Sequence, residues 1–257
     1  MDGGGGMKKE DKTTLSFCIT CKNRLHQIKQ TLPQNLSDNI AMKGKIDFIL
    51  VDFGSTDGLQ KWIAENFESE IEDGYLKYYY TEELKSWHAS VAKNTAHILS
   101  QSDILVNLDC DNYTGKNGGE FILKSMIKFG IHDTVIHQFS NKFGDGSYGR
   151  IALSKQNFIS IGGYDESFEP MGYQDTDLLI RLMVSGIVYI HLGNRRYNKA
   201  ILNNKIKSVE NTLSGVSWKE MNLRNFLTSR KNITSGKITA NTEKEHIGII
   251  QNIYEFE

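Results

Sequence analysis

A chain of 257 residues with 39% hydrophobic and 24% charged residues has a globular composition, which excludes a largely disordered protein. Its 30 Lys and Arg residues are balanced by 31 Asp and Glu residues, for a formal net charge of -1, so we expect no nucleic-acid partner. With three cysteines, and no apolar run near the roughly 18 residues of a membrane helix, we expect a cytoplasmic protein, with peripheral attachment to a membrane left open.

The two ends of the chain differ in composition from its middle. Residues 1–12 are rich in glycine and then charged, and we expect a flexible leader. Residues 13–192 are predicted to form one domain, and residues 193–257 a C-terminal helical extension or flap. Within this extension, residues 218–231 can form an amphipathic helix. Its predicted apolar face consists of Met221, Leu223, Phe226 and Leu227.

Short apolar runs alternate with helical patterns along the first half of the chain. The predicted strands are residues 15–19, 46–53, 76–80 and 104–108. The predicted helices between them are residues 24–36, 59–67 and 89–99. This alternation predicts an α/β fold with a mostly parallel sheet flanked by helices. Because ligands of such folds bind at the carboxyl ends of the strands, we expect the functional site there.

Two carboxylates, Asp109 and Asp111, directly follow the fourth predicted strand. Residues two apart at a strand end face the same side, so the two side chains repel each other unless a cation lies between them and a ligand. Their oxygen atoms suit Mg²⁺ or Mn²⁺, which proteins often share with substrate phosphates. We interpret the pair as a candidate metal and diphosphate site, and a solvated turn remains the alternative.

The second predicted strand also ends on polar residues. Asp52 can accept a hydrogen bond from a base or a ribose, and Gly54 allows the backbone to turn sharply. Ser55, Thr56 or Asp57 can cap the helix that follows. The ligand-binding and the capping interpretations use different residues, so they are compatible.

Five segments in order resemble family 2 glycosyltransferases of the GT-A fold, over about residues 15–190. They are ITCKNR (19–24), VDFGSTDG (51–58), AKNTA (92–96), LDCDN (108–112), and GGYDE (162–166) followed by GYQDTDL (172–178). The last segment resembles the acceptor segment of galactosyltransferase-like members. Three features depart from the family pattern. Lys93 stands where Arg is usual, Gln174 stands where Glu is usual, and residues 171–173 (Met-Gly-Tyr) replace a turn of the Gly-Trp-Gly type.

The resemblance implies a GT-A, Rossmann-like fold and an enzyme that depends on Mn²⁺ or Mg²⁺. Such an enzyme moves a sugar from a nucleotide sugar, here expected to be a UDP-sugar, to a hydroxyl of a glycan or glycoconjugate. By analogy with the family, we expect inversion at the anomeric carbon. The sequence leaves the oligomeric state open.

The resemblance also implies roles for matching positions. Asp175 is the expected catalytic base; it begins a predicted helix over residues 175–185, where a carboxylate is stabilised in its ionised form. The expected donor-binding residues are Thr20, Cys21, Asn23, Arg24, Asp52, Gly54, Ser55, Lys93, Asp109 and Cys110. The expected acceptor-binding residues, with two aromatic rings that can stack on sugars, are Trp87, Gly163, Tyr173, Gln174 and Asp177. The expected metal ligands are Asp111, Asp109 and His191.

Other functions remain open at this point. A nucleotidyltransferase also uses strand-end acids and a metal, but it needs a Gly-rich loop after the first strand, and residues 20–24 contain no glycine. A non-catalytic nucleotide- or sugar-binding module needs neither Asp111 nor Asp175. Cys18 and Cys21 have the spacing of a redox motif, yet residues three apart in a strand face opposite sides, which argues against redox chemistry.

Overall fold

The structure is a computed structural model that describes residues 12–194, 196–202, 212 and 215–256; residues 1–11 of the predicted leader lie outside this description. The strands of the described residues are β1 (Leu15–Cys21), β2 (Ile46–Asp52), β3 (Leu76–Tyr80), β4 (Ile104–Asn107), β5 (Thr134–His137), β6 (Ile151–Ser154), β7 (Val188–His191) and β8 (Tyr254–Glu255). The helices are α1 (Leu25–Asn39), α2 (Leu59–Asn66), α3 (Glu68–Glu72), α4 (Ala89–Leu99), α5 (Gly118–Phe129), α6 (Lys155–Ser160), α7 (Gln174–Val184) and α8 (Trp218–Thr234).

The strands form one mixed, mostly parallel sheet in the order β7-β5-β6-β4-β1-β2-β3-β8. Strands β4, β1, β2 and β3 are parallel neighbours, whereas β6 is antiparallel to both β4 and β5. The central strands are mostly buried on both faces because helices cover both sides of the sheet. The predicted α/β fold is therefore confirmed, and the polar ends of β1, β2 and β4 share one edge.

The two faces of the sheet carry separate apolar clusters. Phe17, Phe48 and Ile122 belong to the cluster on one face, and Ile49, Leu153 and Leu178 to the cluster on the other. Cys18 and Cys21 fall into different clusters, as the alternation of a strand requires. This placement keeps the two thiols on opposite faces and supports neither a redox pair nor a shared metal site for them.

Helix α1 continues beyond its predicted end, with Pro33 inside it. Its last turns are held by contacts with the segment that follows β4. Asn35 donates from Nδ2 to the carbonyl oxygen of Asn112 at 2.9 Å, and Asn39 donates from Nδ2 to Thr114 Oγ1 at 2.8 Å. Such tertiary hydrogen bonds offset the backbone hydrogen bond that a proline removes, so the helix does not end there.

The predicted apolar face of α8 is partly wrong. Met221 is buried, but Leu223 and Leu227 are each 55% exposed. The buried side chains are instead Met221, Asn225 and Ser229, spaced four residues apart. Asn225 faces the chain before α7 and donates from Nδ2 to the carbonyl oxygen of Gly172 at 2.7 Å. Helix α8 thus packs on backbone polar groups, which a polar side chain satisfies and a leucine cannot.

The segment after α8 returns to the sheet. Strand β8 pairs with β3, and Asn241 donates from Nδ2 to the carbonyl oxygens of Gly162 at 2.8 Å and Tyr164 at 2.7 Å. The backbone N–H of Gly248 donates to Glu166 Oε1 at 2.6 Å. Among the described residues, no helix is both long and apolar enough to span a bilayer.

Candidate active site

Two neighbouring cavities open at the carboxyl ends of β1 and β4. The small cavity has a volume of about 190 Å³, and the large cavity about 520 Å³. Nine of the sequence-predicted site residues line the small cavity: Thr20, Arg24, Trp87, Lys93, Asp109, Cys110, Asp111, Gln174 and Asp175. The two cavities share the side chains of Asp109, Met171, Gln174 and Asp175. The predicted base and one of the predicted metal ligands therefore lie where the cavities meet.

The acid pair after β4 is held by neutral amides. Asn107 donates from Nδ2 to Asp109 Oδ1 at 3.1 Å, and Asn112 donates from Nδ2 to Asp111 Oδ1 at 2.6 Å. Burial, followed by the charge of Asp109, raises the pKa of Asp111 to about 6. The buried guanidinium of Arg150 donates to Asn112 Oδ1 at 2.6 Å and so fixes the amide that holds Asp111. The two carboxylates face the same cavity and repel each other.

Helix α1 positions the loop that carries these acids. Thr31 donates from Oγ1 to the carbonyl oxygen of Cys110 at 2.6 Å. Asn35 accepts from the backbone N–H of Thr114 at 2.8 Å, in addition to its bond with Asn112. Polar residues on the inner face of α1 thus replace apolar packing where the helix passes the site.

The donor set of the acid pair fits Mg²⁺ or Mn²⁺, which prefer carboxylate oxygens. No group of three His, Cys, Asp or Glu side chains within the described part of the chain is placed to hold a metal. His191, the third predicted ligand, lines neither cavity, and its Nε2 lies 2.8 Å from the carbonyl oxygen of Phe139. A cation on Asp109 and Asp111 would complete its shell with substrate oxygens and water, as Mg²⁺ commonly does.

Lys93 of α4 is buried between carboxylates. Its Nζ donates to Asp175 Oδ1 at 2.7 Å and lies 3.7 Å from Asp109 Oδ1. Burial alone would favour the neutral amine, but Asp175 and then Asp109 raise the pKa of Lys93 above its usual range. The neighbouring Asn94 does not line the cavity. It donates from Nδ2 to the carbonyl oxygen of Tyr164 and accepts at Oδ1 from the N–H of the same residue, both at 2.8 Å. Helix α4 thus supplies Lys93 to the cavity and also fixes the segment before α7.

Asp175 lies in the first turn of α7, where the free N–H groups favour a negative charge. The turn before it is unusual, since Gly172 and Tyr173 both have positive φ, of 94° and 64°. A side chain rarely adopts this backbone, and the ring of Tyr173 is supported by Phe226 of α8 at 5.4 Å between centroids. The amide of Gln174 donates from Nε2 to Asp175 Oδ2 at 3.5 Å.

Several predicted donor-binding residues lie outside both cavities and tie β1 to β2. Asp52 is fully buried; its Oδ1 accepts from the N–H of Ser55 and its Oδ2 from the hydroxyl of Tyr78, both at 2.8 Å. Burial raises the pKa of this carboxyl group. Asn23 accepts from the N–H of Thr56 at 2.7 Å. The remaining two residues are a buried thiol and a positive-φ glycine, Cys21 and Gly54. A donor-binding role for these residues stays a prediction.

Two predicted acceptor-binding residues also lie away from the cavities. Asp177 is 1% exposed and pairs with Arg181, whose Nε lies 2.7 Å from Oδ2. The same guanidinium donates to the carbonyl oxygen of Gly163 at 2.7 Å. Gly163 has φ of 62°, and a Cβ there would lie 2.5 Å from Asn94 Oδ1. Both residues shape the backbone before α7, and their contact with an acceptor stays a prediction.

The sequence analysis did not select several cavity-lining residues. In the small cavity these are Lys22, Gln27, Ala89 and Met171. In the large cavity they include Phe143, Tyr148, Gly149, Thr176, Trp218 and Asn222. The sequence FGDGSYG at residues 143–149, with three glycines and two aromatic residues, carries a loop signal that could have been used. Nothing in the sequence placed Trp218 or Asn222 near Asp175.

The fold is that of a GT-A glycosyltransferase. The sequence model of glycosyl transferase family 2 matches residues 16–167, more than half of the chain, so the chain belongs to the family 2 glycosyltransferases. The family expected from the sequence motifs is confirmed. Among curated proteins, none matches the chain significantly.

Solved structures with this fold are distant in sequence. The mannosyltransferase PcManGT from Pyrobaculum calidifontis, in complex with GDP-Man and Mn²⁺, is similar with a TM-score of 0.63 and 14% identity, over 87% of this chain and 64% of that chain. TarS 1-349 from S. aureus, in complex with UDP-GlcNAc, has a TM-score of 0.61 and 14% identity, over 88% and 76%. The chain thus spans slightly less than two thirds of the mannosyltransferase. At these identities the likeness shows the fold alone.

Proposed function

We propose that the chain transfers a sugar from a nucleotide sugar, a UDP-sugar, to a hydroxyl of a glycan or glycoconjugate, with a divalent metal and with inversion. One observation carries this proposal: Asp175 lies at the junction of the two cavities, where one substrate on each side would meet. The function requires such a junction, because the reacting groups of donor and acceptor must be held within contact distance.

The small cavity has the chemistry of a diphosphate site. Its lining includes the cationic side chains of Lys22, Arg24 and Lys93 together with the acid pair Asp109 and Asp111. A divalent cation on the acid pair would neutralise the charge that develops on the leaving diphosphate. The mannosyltransferase complex with GDP-Man and Mn²⁺ and the TarS complex with UDP-GlcNAc support this use of the fold.

Asp175 is the proposed general base. One of its carboxylate oxygens would take the proton of the acceptor hydroxyl while the hydroxyl oxygen attacks the anomeric carbon and the nucleoside diphosphate leaves. The ammonium of Lys93 donates to this carboxylate at 2.7 Å and holds it at the N-terminus of α7, where it borders both cavities. A base facing the donor from the acceptor side is compatible with attack opposite the leaving group, and hence with inversion.

Calorimetric titration with UDP tests the donor site. We would titrate the parent chain and Asp111→Asn in the presence of Mn²⁺, Mg²⁺ or a chelator. The matched control is Asp73→Asn, because Asp73 lies before β3 at the opposite end of the sheet and pairs with Lys43. We expect metal-dependent binding that Asp111→Asn abolishes and Asp73→Asn retains. A folded parent chain that binds no UDP with any metal would overturn the proposed donor.

A further inference from the structure

We infer that the large cavity is the acceptor subsite and that it takes an uncharged pyranose, the terminal sugar of a neutral glycan. This inference rests on the proposed function and specifies its acceptor. The cavity, at about 520 Å³, lies in the range of small-molecule sites, and Asp175 is part of its wall. A sugar bound there would present a hydroxyl to the proposed base.

Aromatic rings form much of the wall. Phe143 and Tyr148 come from the loop after β5, Tyr173 from the turn before α7, and Trp218 from the start of α8. A pyranose has one face made of C–H groups, and aromatic rings are the side chains that cover such a face while leaving hydroxyls free to hydrogen-bond. Four rings around one cavity favour a sugar ring over an extended polar chain.

The aromatic wall is braced from behind and tied to the helix that carries the base. Phe139 packs against Phe143 at 5.0 Å and against Tyr148 at 4.9 Å between centroids. The hydroxyl of Tyr148 hydrogen-bonds that of Thr176, the residue after Asp175, at 3.0 Å. The distance between the wall and Asp175 is therefore set by the protein before an acceptor binds.

Glycine keeps the two cavities in contact. A Cβ at Gly149 would lie 2.9 Å from Asp109 Oδ2 and 3.3 Å from Lys93 Nζ. Any larger residue would close the space between the acceptor side and the acid pair. The loop after β5 therefore supplies aromatic rings to the wall and leaves the junction open.

The charge of the lining selects for a neutral acceptor. The charged side chains of the large cavity are two carboxylates, Asp109 and Asp175, and its described lining contains no Lys, Arg or His. Asp145, on the same loop, is not part of the cavity lining, and its carboxylate accepts from the N–H of Ser147 at 2.9 Å. The ammonium beside these carboxylates, that of Lys93, is already paired with both of them. The described lining therefore offers a phosphorylated or carboxylated sugar no further cation to pair with.

Gln174 supplies an unused hydrogen-bond acceptor at the junction. Its Oε1 is buried and has no partner among the described residues, although a buried amide oxygen normally has one. Gln174 lines both cavities. The hydroxyl of a sugar is a donor that would satisfy this oxygen, and the neutral amide adds no negative charge of its own to the site.

Saturation-transfer NMR tests the inference with defined probes. Methyl glycosides of glucose, galactose and N-acetylglucosamine represent neutral acceptors, while methyl glucuronide and glucose 6-phosphate represent anionic ones. We expect a saturation-transfer signal, which reports binding, for at least one neutral glycoside and for none of the anionic compounds. Phe143→Ala, which removes a 78% exposed ring, should weaken neutral binding about fivefold. Anionic compounds that bind as well as neutral ones, or Phe143→Ala binding unchanged, would overturn the inference.

A charge introduced into the cavity gives a second test. Asn222→Lys places a cation in the lining and should make the anionic probes bind, whereas Leu223→Lys adds the same charge on the outer side of α8 and should not. Equal effects of the two variants would contradict the assigned site. UDP binding by the parent chain, measured on the same samples, separates the two proposals: UDP binding without neutral glycoside binding overturns only the acceptor class.

Discussion

Lys93 and Asp175, 82 positions apart in the chain, form a buried ion pair in which Nζ lies 2.7 Å from Oδ1. The same ammonium lies 3.7 Å from Oδ1 of Asp109. One cation of α4 therefore links the proposed base to the proposed metal site. It also separates two carboxylates that would otherwise face each other across the junction of the cavities.

Replacement of Lys93 should show what this cation contributes. We expect Lys93→Met to lose about 3 kcal/mol of unfolding free energy, because it leaves two partly buried carboxylates without their partner. We also expect at least about a 100-fold loss of sugar transfer, since the hydrogen bond that positions the proposed base is lost. Lys93→Arg keeps the charge and should retain most of the stability. Urea unfolding measures the loss of stability, and UDP release in the presence of donor and acceptor measures the loss of sugar transfer. A fully active Lys93→Met would exclude a role for the ion pair in the reaction.

Asp175→Asn should separate chemistry from donor binding. The amide keeps the shape of the side chain but cannot take a proton, so we expect transfer to fall by roughly 100- to 10,000-fold. UDP binding in the small cavity should persist, because the proposed diphosphate contacts lie on other residues. Acceptor-stimulated UDP release and calorimetry are the two measurements. A variant that transfers within tenfold of the parent would rule Asp175 out as the base.

Substitution of Asp177 tests whether this residue has a structural role or makes the acceptor contact that the sequence predicts. Its partner Arg181 is 2% exposed and holds the carbonyl oxygens of Ile161 and Gly163. Asp177→Asn leaves this guanidinium buried without a counter-charge, and we expect a loss of about 3 kcal/mol in urea unfolding. The double variant Asp177→Leu with Arg181→Met should recover part of it. A large rise in acceptor KM without loss of stability would favour the acceptor role instead.

His97 predicts a pH dependence of stability. Burial lowers its pKa from 6.5 to about 3, and its Nδ1 lies 2.7 Å from the carbonyl oxygen of Lys93. Because the folded pKa is depressed, the stabilisation is present above about pH 6.5 and is lost as pH falls towards 3. His97→Phe is the control, because it keeps a ring against Phe158 but cannot take up a proton. Between pH 7 and pH 5 we expect the unfolding free energy of the parent to fall by about 2 kcal/mol more than that of His97→Phe. Parallel urea unfolding curves at the two pH values check this, and equal losses would contradict it.

Local patterns in the sequence were sufficient for the elements that carry the site. The near-continuous apolar run of β2 indicates a strand covered on both faces, and β3 and α4 have the predicted ends. The acids after β4 were recognisable because a strand end in an α/β fold points to the ligand-binding edge. The five ordered motifs, at residues 19–24, 51–58, 92–96, 108–112 and 162–178, were together enough to identify the family.

What only the tertiary structure decided is which polar side chains face the cavities. Asp52 is the last residue of β2, and Asp109 comes two residues after the end of β4. The carboxylate of Asp52 is hydrogen-bonded by Tyr78 and Ser55, whereas Asp109 borders two cavities. Lys93 meets Asp175, and Trp218 joins the wall around it, through contacts between distant parts of the chain. The sequence alone determined the family, the four parallel strands β1 to β4 and the sheet edge that carries the candidate site, because these depend on local periodicity and on motifs. The partners of each buried charge depend on long-range packing, which no local pattern encodes.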